Sequence, residues 1–164
     1  MRGMQRRDAL ILGACAILTP TFAQAKGARV NAVQVMKSSR RLDLLGDGKI
    51  LKSYPIALGF TPVGAKRVEG DGKTPEGAYL LNARVPGSDF HLSMQVSYPN
   101  RSDLMIARRL GKPAGGNICV HGQPNGVNGM MRGDWTWGCV AMKNDDIEEM
   151  FRVVPVGTPI RIYA

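Results

Sequence analysis

The sequence predicts one mainly β domain, a sandwich or barrel-like fold carrying two short helices. Three observations lead there. The chain has 164 residues, enough for a single ordinary core and too short for two domains of typical size. Its 20 glycines and 10 prolines are spread along the chain rather than gathered in a linker, the punctuation of short elements joined by turns. Between them the apolar residues come in short runs, several of them alternating with the period of a half-buried strand.

Residues 1–25 differ in character from the rest of the chain. Arg2, Arg6 and Arg7 make a basic start, Ala9 to Leu18 is apolar, and Ala23-Gln24-Ala25 offers small residues for cleavage, the pattern of a secretory signal peptide. The apolar run is about half the roughly 20 residues a membrane-spanning helix needs. A cleaved signal is therefore expected, with residues 26–164 as the mature domain and the periplasm as its compartment. Arg6-Arg7 also suits the twin-arginine route. Leu12-Gly13-Ala14-Cys15 resembles a lipoprotein site, but cleavage there leaves too short an apolar stretch for export.

Val33 and Val35 start the first strand. Arg41 to Leu45, the Gly46-Asp47-Gly48 turn and Lys49 to Leu58 read as a hairpin with Asp-Gly at its tip. Pro75 to Leu81 gives another strand, Ile118 to His121 a short apolar one, and Thr158 to Tyr163 an alternating one with Ile160 and Ile162 on one face. The first helix is expected from Ser102 or Asp103, its caps, through Leu110, closed by Gly111. The second runs from an Asn144 N-cap to Arg152, with Asp145 and Asp146 at its positive end and Ile147, Met150 and Phe151 on one face. Gln123 to Arg132, rich in Gly and Asn, reads equally as a mobile lid or as an ordinary connecting loop.

The formal charge is +9, and +7 once residues 1–25, with three Arg and one Asp, are set aside. There is no Lys/Arg run and no array of aromatics, which argues against nucleic acid; an exported basic domain meets anionic wall polymers or lipid headgroups instead.

Two histidines and two cysteines remain after residue 25. One of each lies beside glycine in turn-rich sequence, as His121-Gly122 and Gly138-Cys139. Cysteine attacks as the thiolate, and a nearby imidazole can take its proton and pass it to a leaving amine. Glycine before the nucleophile permits a tight turn whose amide N–H groups are free to hold an oxyanion. That is an acyl-transfer arrangement, although spacing alone leaves others open. In an exported chain, Cys119 and Cys139 also admit a disulfide, with Cys119 as a buried apolar filler the favoured alternative. A metal site finds at most three ligands, His121, Cys119 and Cys139, without metal-motif spacing; no metal and no cofactor are expected. His91 reads as a strand or loop histidine, and Trp135 and Trp137 as walls of the site.

Several stretches together resemble the L,D-transpeptidase catalytic domain of YkuD type, and within it the murein branch resembling YafK. They are Tyr54-Pro55-Ile56-Ala57-Leu58-Gly59, the run Glu69-Gly70-Asp71-Gly72-Lys73-Thr74-Pro75-Glu76-Gly77-Ala78-Tyr79, Ser97-Tyr98-Pro99-Asn100, and Ile118 to Gly122 with Thr136-Trp137-Gly138-Cys139. The resemblance implies a β-rich fold with the nucleophile at the end of a cleft. It implies Cys139 as nucleophile, His121 as base and the Gly122 carbonyl as the group orienting the ring. The backbone of Trp137, Gly138 and Cys139 would form the oxyanion hole, and Thr136, Trp135 and Tyr98 are the candidate substrate-binding residues. Two departures bear on substrate choice: the common pattern has His at Trp137 and Arg or Asn at Ala141. The implied substrates are peptidoglycan stem peptides, with a second stem, an outer-membrane lipoprotein lysine or water as acceptor. A wall hydrolase using the same cysteine and a non-catalytic wall-binding module with a Cys119–Cys139 bridge are the alternatives.

Overall fold

The computed structural model describes residues 29–164, so the signal-peptide reading of residues 1–25 lies outside the described residues. Alternating burial makes β1 (Ala32–Met36), with Val33 and Val35 inward as the sequence predicts. The hairpin comes next as β2 (Arg41–Gly46) and β3 (Lys49–Pro55). Its tip residues Asp47 and Gly48 have φ of 50° and 77°, the positive pair of a type I′ turn, which Asp-Gly adopts at low cost. β3 stops at Pro55 rather than Leu58, since proline has no N–H to continue the ladder. Ile56, Ala57 and Leu58 are buried instead and cross to the far side of the sheet.

β4 (Gly77–Ser88) is longer than the expected Pro75–Leu81 run, and antiparallel β5 (His91–Val96) was not expected as a full strand. In β5 the neighbours Ser93 and Met94 are both buried, which erases the period-two signal. β6 (Cys119–His121) and β7 (Val140–Ala141) are too short for any periodicity, whereas β8 (Thr158–Tyr163) alternates buried and exposed throughout.

The eight strands form one sheet in the order β3-β2-β1-β8-β4-β5-β6-β7. The two ends of that order are joined by the segment after β3: Ala57 exchanges both backbone hydrogen bonds with Ala141, and Gly59 bridges Thr136. The sheet is thereby closed toward a barrel, as expected, and β7 gains a second neighbour. Its core is lined from many strands at once, among them Val33, Val35, Leu42, Ile160, Ile162, Met94 and Val120, all nearly inaccessible. Each such side chain contributes about 1.5–3 kcal/mol.

Both helices lie close to where they were expected, but both caps differ. α1 (Arg101–Arg109) starts at an Asn100 N-cap, not at Ser102 or Asp103. Asn100 accepts from the Asp103 amide while the Asp103 carboxylate accepts from the Asn100 amide, a capping box that makes Asp103 the third helical residue. Gly111, at φ 66°, comes just after the helix end as predicted. α2 (Asn144–Val153) has Lys143 at its N-cap without a side-chain bond; the Asn144 side chain is engaged elsewhere, accepting the Gln123 amide at 2.7 Å. Ile147 and Met150 are fully buried, with Phe151 packed at the core's margin.

Candidate active site

Cys139 ends a turn that enters β7, and His121 ends β6. The two strands pair in parallel, Val120 with Val140 and His121 with Ala141. That register sets Cys139 beside Cys119 and two residues short of His121. Cys119 and His121 share a strand face, and strand dimensions put the His121 and Cys139 Cα atoms roughly 8 Å apart, within mutual reach of their side chains.

The turn is held by shape and by one hydroxyl. Gly138 has φ of 122°, and a Cβ there would meet the Lys73 carbonyl oxygen at 2.5 Å, so only glycine fits. Thr136 is buried; its Oγ1 donates to the Cys139 carbonyl at 2.8 Å and accepts the Gly138 amide at 3.1 Å. Thr136 therefore braces the turn. The Gly138 N–H is likewise occupied. Of the three candidate oxyanion donors, the Trp137 and Cys139 amides have no hydrogen-bond partner among the described residues, and these two remain to receive negative charge.

His121 is 3% exposed. Its ring lies 4.6 Å from Phe90 and 5.7 Å from Trp135, centroid to centroid. Nδ1 is 2.7 Å from the Gly122 carbonyl, which can only accept, so the proton sits on Nδ1 and Nε2 is left as the base. Burial in this apolar clamp pushes the ring below its ordinary pKa, partly offset by the Gly122 bond. A Cβ on Gly122 would meet the Asn144 side-chain Oδ1 at 2.6 Å, so a larger residue here would displace Asn144 from the Gln123 amide. The Gly122 amide is shared between the Phe90 and Leu92 carbonyls, fixing the carbonyl that orients the ring.

Burial likewise pushes the Cys139 thiol up, opposed by the Cys119 amide and the Lys66 charge. Its Sγ accepts the Cys119 N–H at 3.4 Å and lies 3.6 Å from the Asn117 carbonyl oxygen. Both shifts favour uncharged forms, so the resting site is a thiol with a neutral base beside it. Cys119 is pushed up to about 12 by burial and by the neighbouring Cys139, leaving Cys139 the better nucleophile. Both cysteines are free thiols in this structure. Among the described residues no three His, Cys, Asp or Glu side chains gather into a metal-holding group.

The aromatic candidates separate. Trp135 walls the imidazole, and its indole N–H is buried without a partner among the described residues, a donor available to a ligand. Trp137 is 71% exposed, edge-on to Phe60 at 4.8 Å, at the mouth of the site. Tyr98 is not brought there: its ring is buried against Tyr79 and its hydroxyl donates to the Ala114 carbonyl. Its sequence neighbours misled, since a polar-tipped aromatic beside Pro-Asn is also what a core strand end looks like. His91 pairs instead with Glu148 of α2 at 2.7 Å. Gln123 is buried and ties its loop at both ends, donating to the Met142 carbonyl and accepting from the Met131 amide.

The site residue that sequence reasoning missed is Lys66. It is 4% exposed and donates to the Val68 carbonyl and to Asp71, each at 3.0 Å. A lysine among exposed-looking loop residues carries no sequence signal of burial.

Comparison with known proteins places the chain beside one group. The family model described as L,D-transpeptidase catalytic domain, YkuD, matches residues 30–162. YafK of Escherichia coli strain K12 is 29% identical over 153 residues, 88% of this chain and 56% of YafK. YqjB of Bacillus subtilis strain 168 is 26% identical over 135 residues, 79% of this chain and 69% of YqjB. Among solved structures, the helical cell shape determining protein Pgp2 from Campylobacter jejuni matches with a TM-score of 0.64 and 29% identity, over 81% of this chain and 47% of Pgp2. Bd1075 of Bdellovibrio bacteriovorus matches at 0.59 and 28%, over 85% of this chain and 50% of Bd1075. The chain thus spans about half the length of YafK and of these two structures.

Proposed function

The chain belongs to the YkuD family of L,D-transpeptidase catalytic domains, and on that premise we propose that it is a peptidoglycan L,D-transpeptidase working through a thioester on Cys139. The observation that carries this is the parallel pairing of β6, which ends at His121, with β7, which Cys139 immediately precedes, the imidazole being held through Nδ1 on the Gly122 carbonyl. As a donor stem peptide binds, His121 Nε2 takes the Cys139 proton and the sulfur attacks the carbonyl of the L-centre of diaminopimelate. Negative charge on the tetrahedral oxygen falls to the Trp137 and Cys139 amides. The imidazolium then protonates the amine of the departing D-alanine, the C–N bond breaks, and a thioester remains. An acceptor amine gives up a proton to the same imidazole as it attacks the thioester, the C–S bond breaks, and the imidazolium returns the proton to the Cys139 sulfur. A second stem peptide as acceptor yields a cross-link, and a lipoprotein lysine yields an anchor. Water yields trimming, the hydrolase alternative. Export by residues 1–25 to the periplasm is part of the proposal, because that is where these substrates lie.

Two free thiols favour this reading over a bridged wall-binding module. The test is mass spectrometry of the protein incubated with disaccharide-tetrapeptide. A Cys139 adduct with released D-alanine, followed by dimeric muropeptide, is expected, and absent from Cys139→Ala. An adduct decaying only to tripeptide would make it a hydrolase; no adduct under reducing conditions would overturn the proposal.

A further inference from the structure

A buried ammonium needs a reason to stay charged and in place. Lys66 has one partner in Asp71, and Asp71 is itself heavily held: its carboxylate accepts the Arg67, Val68 and Lys73 amides as well as Lys66 Nζ. Burial raises Asp71, but those bonds outweigh it and keep the group below the usual carboxylate range, so the carboxylate is ionised. An ammonium has three N–H donors, and two of them are used here.

The loop carrying this pair is pressed against the nucleophile's turn. Lys66 is tied across it by its own amide to the Thr74 carbonyl, and Thr74 Oγ1 accepts the Gly59 amide. A Cβ on Gly59 would meet both the Gly72 carbonyl oxygen, at 2.2 Å, and Gly138 Cα, at 3.1 Å, and one on Gly138 would meet the Lys73 carbonyl oxygen. There is thus no room for solvent between loop and turn at these points, and charges there act through protein rather than water. Of the charged and titratable groups, the Lys66 charge from this loop and Cys119 from β6 act on the sulfur; His121 follows two residues after Cys119 on β6, and Asp71 reaches the sulfur only through Lys66, whose Nζ it holds at 3.0 Å. The Lys73 ammonium lies beside Gly64.

Cys139 must acquire negative charge at a half-buried position, which burial opposes. The imidazole accepts the proton, but the sulfur's own charge still needs a counterweight. We propose that Lys66 is a positioning residue that supplies it: a fixed internal cation that stabilises the attacking thiolate of Cys139, with Asp71 holding the cation in place and tempering its field. This rests on Cys139 being the nucleophile and deepens that reading. Lys66 takes no proton and touches no reacting atom.

The test is site-resolved alkylation of Cys139 by iodoacetamide as a function of pH, on full-length protein verified as folded by circular dichroism. Lys66→Met is expected to raise the midpoint of thiolate formation by about one pH unit, the lower end of what a neighbouring opposite charge imposes. Below both midpoints the alkylation rate then falls about tenfold. Lys66→Arg keeps the charge and is expected to stay within a few tenths of a unit of wild type. Asp71→Asn removes the tempering anion and is expected to move the midpoint down. These opposite signs separate an electrostatic role from a structural one, because loosening the loop would move Lys66→Met and Asp71→Asn the same way. Shifts of the same sign, or none, overturn the inference. If Lys66→Met does not fold, the Asp71→Asn arm decides: a fall supports it, no change or a rise overturns it. The titration needs no substrate, so failure of the tetrapeptide adduct, which would sink the proposed activity, reads out separately.

Discussion

A methyl group on Gly138 has nowhere to go, and its cost can be worked from two contributions. At φ 122° an L side chain is strained, which costs of order 1–3 kcal/mol. The added Cβ would stand 2.5 Å from the Lys73 carbonyl oxygen, a backbone atom that cannot swing aside like a side-chain tip; overpacking of this kind costs about 1–3 kcal/mol. Partial relaxation of the turn relieves some of each, so Gly138→Ala should destabilise the fold by about 3 kcal/mol. For a chain of this size that corresponds to a melting temperature lower by roughly 10 °C. Whatever relaxation occurs moves the Cys139 amide and sulfur, so acylation by tetrapeptide should fall about 100-fold or more. Thermal denaturation followed by circular dichroism gives the first number and adduct formation by mass spectrometry the second. A variant melting within about 2 °C of wild type and acylating normally would show that the Lys73 carbonyl does not crowd the turn, and the account of why glycine precedes the nucleophile would fail.

Because burial lowers His121, the base stays neutral below its ordinary value of about 6.5; the acid limb of kcat/KM should have its midpoint below about pH 6.5, and a midpoint at or above it would refute the neutral-base assignment. Thr136→Val keeps volume but strands the Gly138 amide and the Cys139 carbonyl, so it should cost about 2–3 kcal/mol in urea denaturation, while Thr136→Ser should recover most of that. Thiol titration of protein lacking residues 1–25 should find two reactive groups after unfolding without reductant, and none would restore the disulfide-bridged module.

Much of the fold was legible because local chemistry dictated it. Val33 and Val35 alternate, Ile160 and Ile162 alternate, and Asp47-Gly48 adopts the one turn that matches strand twist, each a property of a few neighbouring residues. The second helix showed its apolar stripe, Ile147, Met150 and Phe151, for the same reason. The caps were less legible: Asn100 outcompetes Ser102 because only it lies three residues before Asp103, and Asn144 is drawn off to Gln123, a residue distant in sequence.

The candidates for the chemistry were legible in the order of amino acids: one histidine and one cysteine, each beside a glycine, with a threonine close before the cysteine. How they act was set by the folded arrangement. Parallel pairing of β6 with β7, whose other edge Ala57 bridges, sets His121 within reach of Cys139. Burial favours the neutral form of both groups, and the fold occupies the Gly138 amide with Thr136, sends Tyr98 into the core and brings Lys66 inside. Each of these depends on contacts across many residues, and burial is a property of the assembled fold that no local stretch of sequence carries.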